Sequence, residues 1–273
     1  MKKKKKEVEK FFDKYAKVYS SSGYPSPDIN ARTAMSFGDD ITWHFVLKYI
    51  PKQRSVKILD AGSGDGFWAQ KLIEMGYKNI TLLDISKDLL HIARKRLSNL
   101  DIEHNAEYIK SDIIDMKELQ SNLFDYVFSQ YDAVSYCMKP LEALKELARV
   151  SKKNTYVVVS LDTKFRRVSE YIEAGWLKEA KILLDTNISN EFGFPQYNFS
   201  WEKLAQIYEQ AGLKVIEIIG APVFMHQIKE EILEKLEQDS KIREQLLEIE
   251  LEYCTNKSLV NFAGHLQMVG KKE

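Results

Sequence analysis

The sequence predicts an α/β protein built on a doubly wound, parallel sheet of seven strands. Three observations lead to this prediction. Short apolar runs alternate with amphipathic helical patterns between residues 56 and 161, a glycine-rich turn joins the first run to a helix, and two more strand patterns follow towards the C-terminus. Strands separated by helices pair in parallel, because each helix returns the chain to the starting edge of the sheet.

Each element has its own sequence signal. Apolar runs that end in polar residues predict the first four strands, at 56–59, 80–86, 108–113 and 124–131. Residues 140–150 show helical spacing of leucine and alanine. Ser200 is the expected N-cap of a later helix, which Gly212 ends. The last three strands are expected at 155–161, 213–219 and 265–270.

Composition sets outer limits on the class of protein. A chain of 273 residues with 44% hydrophobic and 29% charged residues is typical of one globular domain with insertions. Forty basic and forty acidic residues cancel, so the net charge indicates no polyanionic partner. No apolar run approaches the roughly 18 residues of a spanning helix, and no signal peptide is evident, so we expect a cytoplasmic protein. Cys137 and Cys254 lack metal-ligand spacing and are expected to be free thiols, with neither zinc nor a disulfide.

The turn after the first strand is the most informative stretch. It comprises Asp60, Ala61, Gly62, Ser63, Gly64, Asp65 and Gly66. Glycines let the backbone approach a ligand closely, and the amides that open the next helix can bind polar groups of a nucleoside cofactor. A dinucleotide fingerprint needs a small residue where this chain has Phe67. The Asp60 carboxylate would repel a pyrophosphate but attract the sulfonium or ammonium of S-adenosylmethionine.

These residues resemble the class I S-adenosylmethionine-dependent methyltransferases, and the pattern looks closest to the ubiquinone and menaquinone biosynthesis group. The resemblance covers about residues 40–160 and the terminal strands. It implies a Rossmann-like sheet whose seventh strand is antiparallel. It also implies that Asp84 holds the two ribose hydroxyls, that Asp112 meets the adenine amino group, and that Ile113 packs on the adenine ring. The methyl-transfer site would lie beside Gln130 and Tyr131, at the end of the fourth strand.

Some of these roles have plainer alternatives. Asp84 could cap the following helix, but Ser86 is the better N-cap. Asp112 could be a solvated turn residue. The expected cofactor-binding residues are Asp60, Ala61, Gly62, Ser63, Gly64, Gly66, Asp84, Ile85, Ser111, Asp112, Ile113, Gln130 and Tyr131, joined by two tyrosines of the N-terminal segment.

The N-terminal segment is expected to stand apart from the methyltransferase domain, with residues 1–38 as a lid helix and loop and 39–273 as the domain. The lysine run at residues 2–6 is expected to be disordered and without function. An amphipathic helix is predicted at residues 7–19. In similar methyltransferases such a helix folds over the cofactor, so Tyr15 and Tyr19 are lid candidates, although packing at the domain edge is equally compatible with the pattern. A second helix is expected at about 39–49.

Two insertions, at about 163–199 and 221–257, are expected to form a substrate lid. The first is rich in aromatic residues, namely Phe165, Tyr171, Trp176, Phe192, Phe194, Tyr197 and Phe199. That density is typical of an apolar pocket wall, although an enlarged core would also explain it. The second contains a long helical pattern at 228–253 with nine acids and four bases. Its net negative charge disfavours a nucleic-acid backbone, so a small, partly apolar acceptor is preferred and nucleic acid is unlikely.

The expected chemistry is direct displacement by an acceptor oxygen, nitrogen or carbon at the sulfonium methyl group. His226 is a weak candidate for a general base, whereas His91, His104 and His265 are expected to be structural. Three alternatives stay open: a catalytically silent nucleoside-binding or scaffold protein, an aminopropyltransferase, and a protein or RNA methyltransferase. Cofactor retention without turnover would favour the first of these, and turnover of the decarboxylated cofactor the second.

Overall fold

A computed structural model of the chain describes residues 2–19, 29–190, 192–225 and 228–273. Its strands are β1 (Lys57–Ala61), β2 (Asn79–Asp84), β3 (Asn105–Lys110), β4 (Tyr126–Ser129), β5 (Tyr156–Asp162), β6 (Ile188–Ser189), β7 (Gln196–Tyr197), β8 (Leu213–Ala221) and β9 (His265–Lys272). Its helices are α1 (Lys2–Tyr19), α2 (Ile29–Tyr49), α3 (Phe67–Glu74), α4 (Lys87–Ser98), α5 (Ala133–Tyr136), α6 (Pro140–Val150), α7 (Lys164–Glu173), α8 (Leu177–Thr186), α9 (Trp201–Gln210), α10 (Glu230–Gln238) and α11 (Ser240–Tyr253). No helix within these ranges is long and apolar enough to cross a lipid bilayer.

The seven-stranded sheet has the order β3-β2-β1-β4-β5-β9-β8, and β6 pairs with β7 in a separate hairpin. Strand β9 is antiparallel to both of its neighbours, whereas β1 to β5 pair in parallel. The predicted Rossmann-like fold class is therefore confirmed. The strand order reverses between β1 and β4, and in such sheets this switch point opens a crevice at the carboxyl ends of the strands.

Both faces of the sheet are buried at its central strands β1, β4 and β5, as expected for parallel strands covered by helices. Consecutive residues of β5 show the alternation: Val158 packs into the core on one face, and Val157 and Val159 pack into the core on the other. Strand β1 divides in the same way, with Ile58 and Leu59 on opposite faces. This rigid centre fixes the positions of the loops at the carboxyl ends of the strands.

Several local predictions are confirmed. The side chain of Ser86 accepts a hydrogen bond from an amide in the first turn of α4, and Ser200 does the same for α9. Helix α6 has the predicted bounds, and Gly212 has a φ of 79° beyond α9. Helix α2 begins ten residues earlier than predicted, at Ile29. Its additional turns include the fully buried Phe37, which packs against leucines of α10, a partner that local sequence does not reveal.

The lysine run is not disordered, so that expectation is wrong. Helix α1 begins at Lys2, and the Lys5 ammonium lies 2.8 Å from the Asp112 carboxylate. Part of the lysine run therefore forms an ion pair with an acid that follows β3. This acid, Asp112, lies more than a hundred residues away in the sequence.

The insertions also differ from their predicted roles. The structure has a cavity at the carboxyl ends of the parallel strands. In the first insertion, only Phe192 of the seven aromatic residues lines this cavity. The others mostly pack against protein: Phe194 contacts aromatic residues of α1, and Tyr171 lies inside the α7–α8 hairpin. In the second, α10 and α11 pack on α2, and none of the described residues of 228–253 lines the cavity. An amphipathic pattern shows that a helix has a buried face but does not identify its neighbour.

Candidate functional site

A cavity of about 810 Å³ lies at the carboxyl ends of β1 to β5. The segments that follow these strands form its floor, and α1 and Phe192 contribute to its wall. Of the predicted cofactor-binding residues, the structure brings eleven to the cavity: Tyr15, Gly62, Ser63, Gly64, Asp84, Ile85, Ser111, Asp112, Ile113, Gln130 and Tyr131. The cavity therefore lies at the switch point of the sheet, where ligands of such folds bind.

The glycine turn leads from β1 into α3 and is hydrogen-bonded to the end of β2. The amides of Gly62 and Ser63 donate hydrogen bonds to the Leu83 carbonyl, at 2.7 and 3.0 Å. Gly62 has a φ of 78°, and a Cβ atom there would lie 2.2 Å from the Cβ of Ala133. Gly64, with a φ of 52°, has no atom within 4 Å of its Cβ position and lines the cavity. The turn thus packs directly against the protein at Gly62 and faces the cavity at Gly64.

Asp84 ends β2 at the cavity floor. One carboxylate oxygen accepts the Gly64 amide at 2.9 Å, and the other accepts the Ser86 amide at 2.8 Å. Burial raises the pKa of Asp84 to about 6, although these amide hydrogen bonds act in the opposite direction. The side chain is thus held in place by backbone amides and can accept further hydrogen bonds from hydroxyl groups when it is ionised.

Three predicted residues of the turn, Asp60, Ala61 and Gly66, do not line the cavity. Asp60 is fully buried, and one of its oxygens has no hydrogen-bond partner in the described part of the chain. Burial first, and then the charges of Asp84 and Asp65, raise the pKa of Asp60 well above its ordinary value. Ala61 is buried in the core, and a Cβ at Gly66 would meet helix α4 at 3.0 Å. Direct cofactor contacts by these residues stay predictions.

Helix α1 covers the cavity through apolar and polar contacts. Phe11, Phe12 and Tyr15 line the cavity. The Ser86 hydroxyl donates to Asp13 at 2.6 Å, and Lys110 pairs with another acid of the same helix. The Asp112 carboxylate, expected at the adenine, is paired with Lys5. The backbone of Tyr19 belongs to α1, but its side chain lies outside the described part of the structure.

The segment after β4 is conformationally unusual. Tyr131 and Asp132 have φ values of 54° and 73°, which lie in a left-handed backbone region that residues other than glycine rarely adopt. The Tyr131 hydroxyl donates a hydrogen bond to Asp39 of α2, and its ring stacks on Trp68 at 5.9 Å. These contacts hold the segment so that both the Tyr131 and Asp132 side chains reach the cavity.

Four ionisable side chains at this end of the cavity were missed by the sequence analysis: Asp132, Asp162, Arg167 and His265. The Nε2 atom of His265 lies 3.1 Å from Asp132, and an Arg167 nitrogen lies 3.2 Å from Asp162. Burial lowers the pKa of His265, but Asp132 and Asp162 outweigh it and raise the pKa to about 9. His265, expected to be structural, thus lines the cavity, whereas His226 lies outside the described residues.

Only strand register could have revealed this cluster, because Asp162 and His265 pair across β5 and β9. Ligand atoms of Asp132, Asp162 and His265 lie within 4.8 Å of one another, close enough to hold a metal ion. However, Arg167 and Gln196 already contact the two oxygens of Asp162. A guanidinium cation beside the same carboxylate disfavours a second cation by charge repulsion.

The cavity suits a nucleoside cofactor that carries an amino-acid tail. Three buried polar atoms of cavity-lining residues have no hydrogen-bond partner among the described residues: Ser63 Oγ, Gln130 Nε2 and Asp132 Oδ1. Unpaired buried polar atoms are costly, so a ligand that supplies donors and acceptors is favoured there. The ionisable Asp84 and the open turn at Gly64 offer a matching site for hydroxyl groups.

Comparisons with known proteins agree with this geometry. A family model described as "Methyltransferase domain" matches residues 52–212. A malonyl-[acyl-carrier protein] O-methyltransferase of Marinomonas sp. (strain MWYL1) is 36% identical over 116 residues, which are 42% of this chain and 41% of that protein. A tRNA 5-carboxymethoxyuridine methyltransferase of Escherichia coli (strain K12) is 21% identical over 269 residues, 96% of this chain and 95% of that protein.

Among solved structures, the magnesium protoporphyrin IX methyltransferase of Synechocystis PCC 6803 with bound SAH matches with a TM-score of 0.60 and 13% identity, covering 99% of this chain and 100% of that one. The chain spans less than half the length of the malonyl-[acyl-carrier protein] enzymes that it matches. Because one relative is named for a tRNA, the expectation that nucleic acid is unlikely is not supported. The acidic helices on which that expectation rested also lie away from the cavity.

Proposed function

The chain belongs to the class I S-adenosylmethionine-dependent methyltransferases, and we propose that it methylates a carboxylate oxygen of a partly apolar organic acid. The observation that carries this proposal is the acceptor end of the cavity, where Arg167 and His265 lie beside an aromatic wall. The narrower resemblance to the ubiquinone and menaquinone group stays a prediction.

The cofactor is S-adenosylmethionine, which when bound supplies a sulfonium-activated methyl group and leaves as neutral S-adenosylhomocysteine. We assign the ribose hydroxyls to Asp84 and the surroundings of the adenine to Ile113 and to Phe11 and Tyr15 of α1. Ser63, Gln130 and Asp132 would satisfy the amino-acid tail with their unpaired polar atoms. These residues bind and orient the cofactor, and α1 excludes water from it.

The apolar part of the acceptor is inferred from the cavity wall beyond Asp132. Phe12, Tyr136 and Phe192 line the cavity here. The ring centroid of Tyr136 lies 5.5 Å from that of Phe12 and 6.0 Å from that of Phe192. Such a wall favours aromatic or aliphatic groups over a strongly hydrated acceptor. This inference agrees with the expectation of a small, partly apolar acceptor.

The reacting group is inferred from the relatives and the chemistry together. The names of the two curated relatives described above each specify an acceptor with a carboxyl group, one malonyl and the other carboxymethoxy. A carboxylic acid with a pKa of about 4 is ionised at neutral pH, so its oxygen attacks without a general base. The proposed reaction therefore needs no proton acceptor on the chain, only alignment and charge neutralisation.

The test is methyl transfer from S-adenosylmethionine labelled in its methyl group. Organic acids, matched amides, phenols, amines and tRNA serve as acceptors. A methyl ester releases its label as volatile methanol in alkali, whereas ethers and methylamines do not. We expect alkali-labile label on acids only. Alkali-stable label on a phenol or amine would contradict the carboxylate proposal, and cofactor binding without turnover on any acceptor would favour the catalytically silent alternative.

Cofactor binding is expected to depend on pH through Asp84. Its pKa is raised from 3.8 to about 6 in the folded protein, so the carboxylate is fully available above that value and is lost as the pH falls through it. Affinity for S-adenosylmethionine should therefore fall about tenfold from pH 7 to pH 5. Calorimetric titrations measure this change. The Asp84→Asn variant should show a flat profile, and an equal slope in that variant would assign the titration to another group.

A further inference from the structure

The acceptor end of the cavity contains a charge cluster contributed by four separate elements. Asp132 follows β4, Asp162 ends β5, Arg167 belongs to α7, and His265 begins β9. All four line the cavity. Two pairs define the cluster, His265 with Asp132 at 3.1 Å and Arg167 with Asp162 at 3.2 Å. The first insertion thus contributes a cation, through Arg167, rather than only aromatic surface.

The charges of the cluster cancel at neutral pH. Burial opposes protonation of His265, but the charge and hydrogen bond of Asp132 and the charge of Asp162 raise its pKa to about 9, against a smaller opposing effect of Arg167. Asp39 of α2 also faces this imidazole electrostatically. Over these four side chains, an imidazolium and a guanidinium balance two carboxylates, although burial and then the charge of Asp132 raise the pKa of Asp162 to about 6. The cofactor sulfonium adds one positive charge to this end of the cavity. An anionic acceptor returns the net charge there to zero, and a neutral acceptor does not.

Arg167 can accept a new carboxylate without leaving its present partner, Glu170, unpaired. Its Nη1 atom contacts Glu170 at 2.7 Å, and Glu170 also pairs with Arg166, at 3.0 Å. An acceptor carboxylate that replaces Glu170 at Arg167 leaves Glu170 paired with Arg166. The exchange therefore leaves no unpaired charge at Glu170, whose side chain is 34% exposed.

We propose that Arg167 and His265 together bind the carboxylate of the acceptor and so determine the specificity of the enzyme for acids. This inference rests on the proposed function and identifies the residues that carry it. Asp132 and Asp162 are positioning residues, because they hold the two cations at the cavity. A metal bridge between acceptor and carboxylates is the competing arrangement, and the cation already beside Asp162 argues against it.

The experiment measures binding of matched acids and amides to the full chain saturated with S-adenosylhomocysteine. The probes are octanoate with octanamide and phenylacetate with phenylacetamide, in buffer containing a chelator. We expect the wild type to prefer each acid at least about tenfold, and Arg167→Gln and His265→Gln each to lose that preference without weakening amide binding. Arg167→Lys, which keeps the positive charge, should keep part of the preference for acids.

Two variants control for loss of charge or imidazole elsewhere. Lys164→Gln removes a cation from α7, and His104→Gln removes an imidazole, and neither residue lines the cavity. Both should bind acids as the wild type does. Acid binding by the wild type should also decline as the pH rises through about 9, and this decline should be absent in His265→Gln.

The outcomes separate this inference from the proposed function. If the wild type forms alkali-labile methyl esters but Arg167→Gln and His265→Gln keep its KM for acids, the anchoring role is wrong and the function stands. If the wild type binds acids and amides equally and forms no ester, both are overturned. If added MgCl2 is required for acid preference, a metal bridge replaces the proposed anchor.

Discussion

Replacing Asp84 by asparagine should weaken binding of S-adenosylmethionine by about a hundredfold. Two ribose hydroxyls would lose a charged acceptor, and hydrogen bonds to charged groups contribute about 1.5 to 3 kcal/mol each. The loss is not larger because the amide oxygen of asparagine can still accept one hydrogen bond. Isothermal titration calorimetry of the two proteins at pH 7.5 measures the difference directly.

The structure supplies a matched control for this change. Asp88 lies in the first turn of the same helix that follows Asp84, but it does not line the cavity. Asp88→Asn removes the same charge four residues away and should leave the affinity unchanged within about twofold. Because Asp84 also accepts two backbone amides, thermal unfolding must be measured for both variants. Unchanged cofactor affinity in a folded Asp84→Asn protein would remove Asp84 from the ribose site.

The part of the cavity that we assign to the cofactor could be predicted from sequence because it is built from contiguous segments. A strand, a glycine turn and a helix fix Gly62, Gly64 and the end of β1 within a few residues, and Asp84 ends the adjacent strand. Parallel pairing then brings the carboxyl ends of neighbouring strands to one edge. Local patterns and a general rule of topology are therefore enough to predict this half.

The acceptor half and the docking of α1 over the cofactor half could not be predicted in the same way. His265 meets Asp132 across 133 residues, and Lys5 meets Asp112 across more than a hundred. These contacts depend on the register of β9 against β5 and on how α1 docks, which single-sequence patterns do not determine. The aromatic residues of the first insertion show the same limit, because burial in a core and exposure to a pocket require the same residue types. Their number predicted a pocket wall, and most of them form protein contacts instead.

Replacing Gly62 by alanine should destabilise the protein by about 3 kcal/mol or more. The new Cβ would lie 2.2 Å from the Cβ of Ala133, which is far inside the contact distance of two carbon atoms, and the φ of 78° adds strain. Overpacking costs about 1 to 3 kcal/mol, and a left-handed alanine about 1 to 2 kcal/mol. In a domain of this size the melting temperature should fall by about 10 °C. Differential scanning calorimetry measures the change.

Gly64→Ala provides the contrast, because the two glycines share one turn but face different surroundings. Its Cβ meets no atom within 4 Å, so only the backbone conformation is strained, and the melting temperature should fall by about 3 °C. The new methyl group would instead occupy the cavity, and cofactor affinity should fall at least about tenfold. Gly62→Ala should thus affect mainly stability, and Gly64→Ala mainly binding. Equal melting temperatures in the two variants would show that Ala133 can move aside, and unchanged affinity in Gly64→Ala would place the cofactor away from the turn.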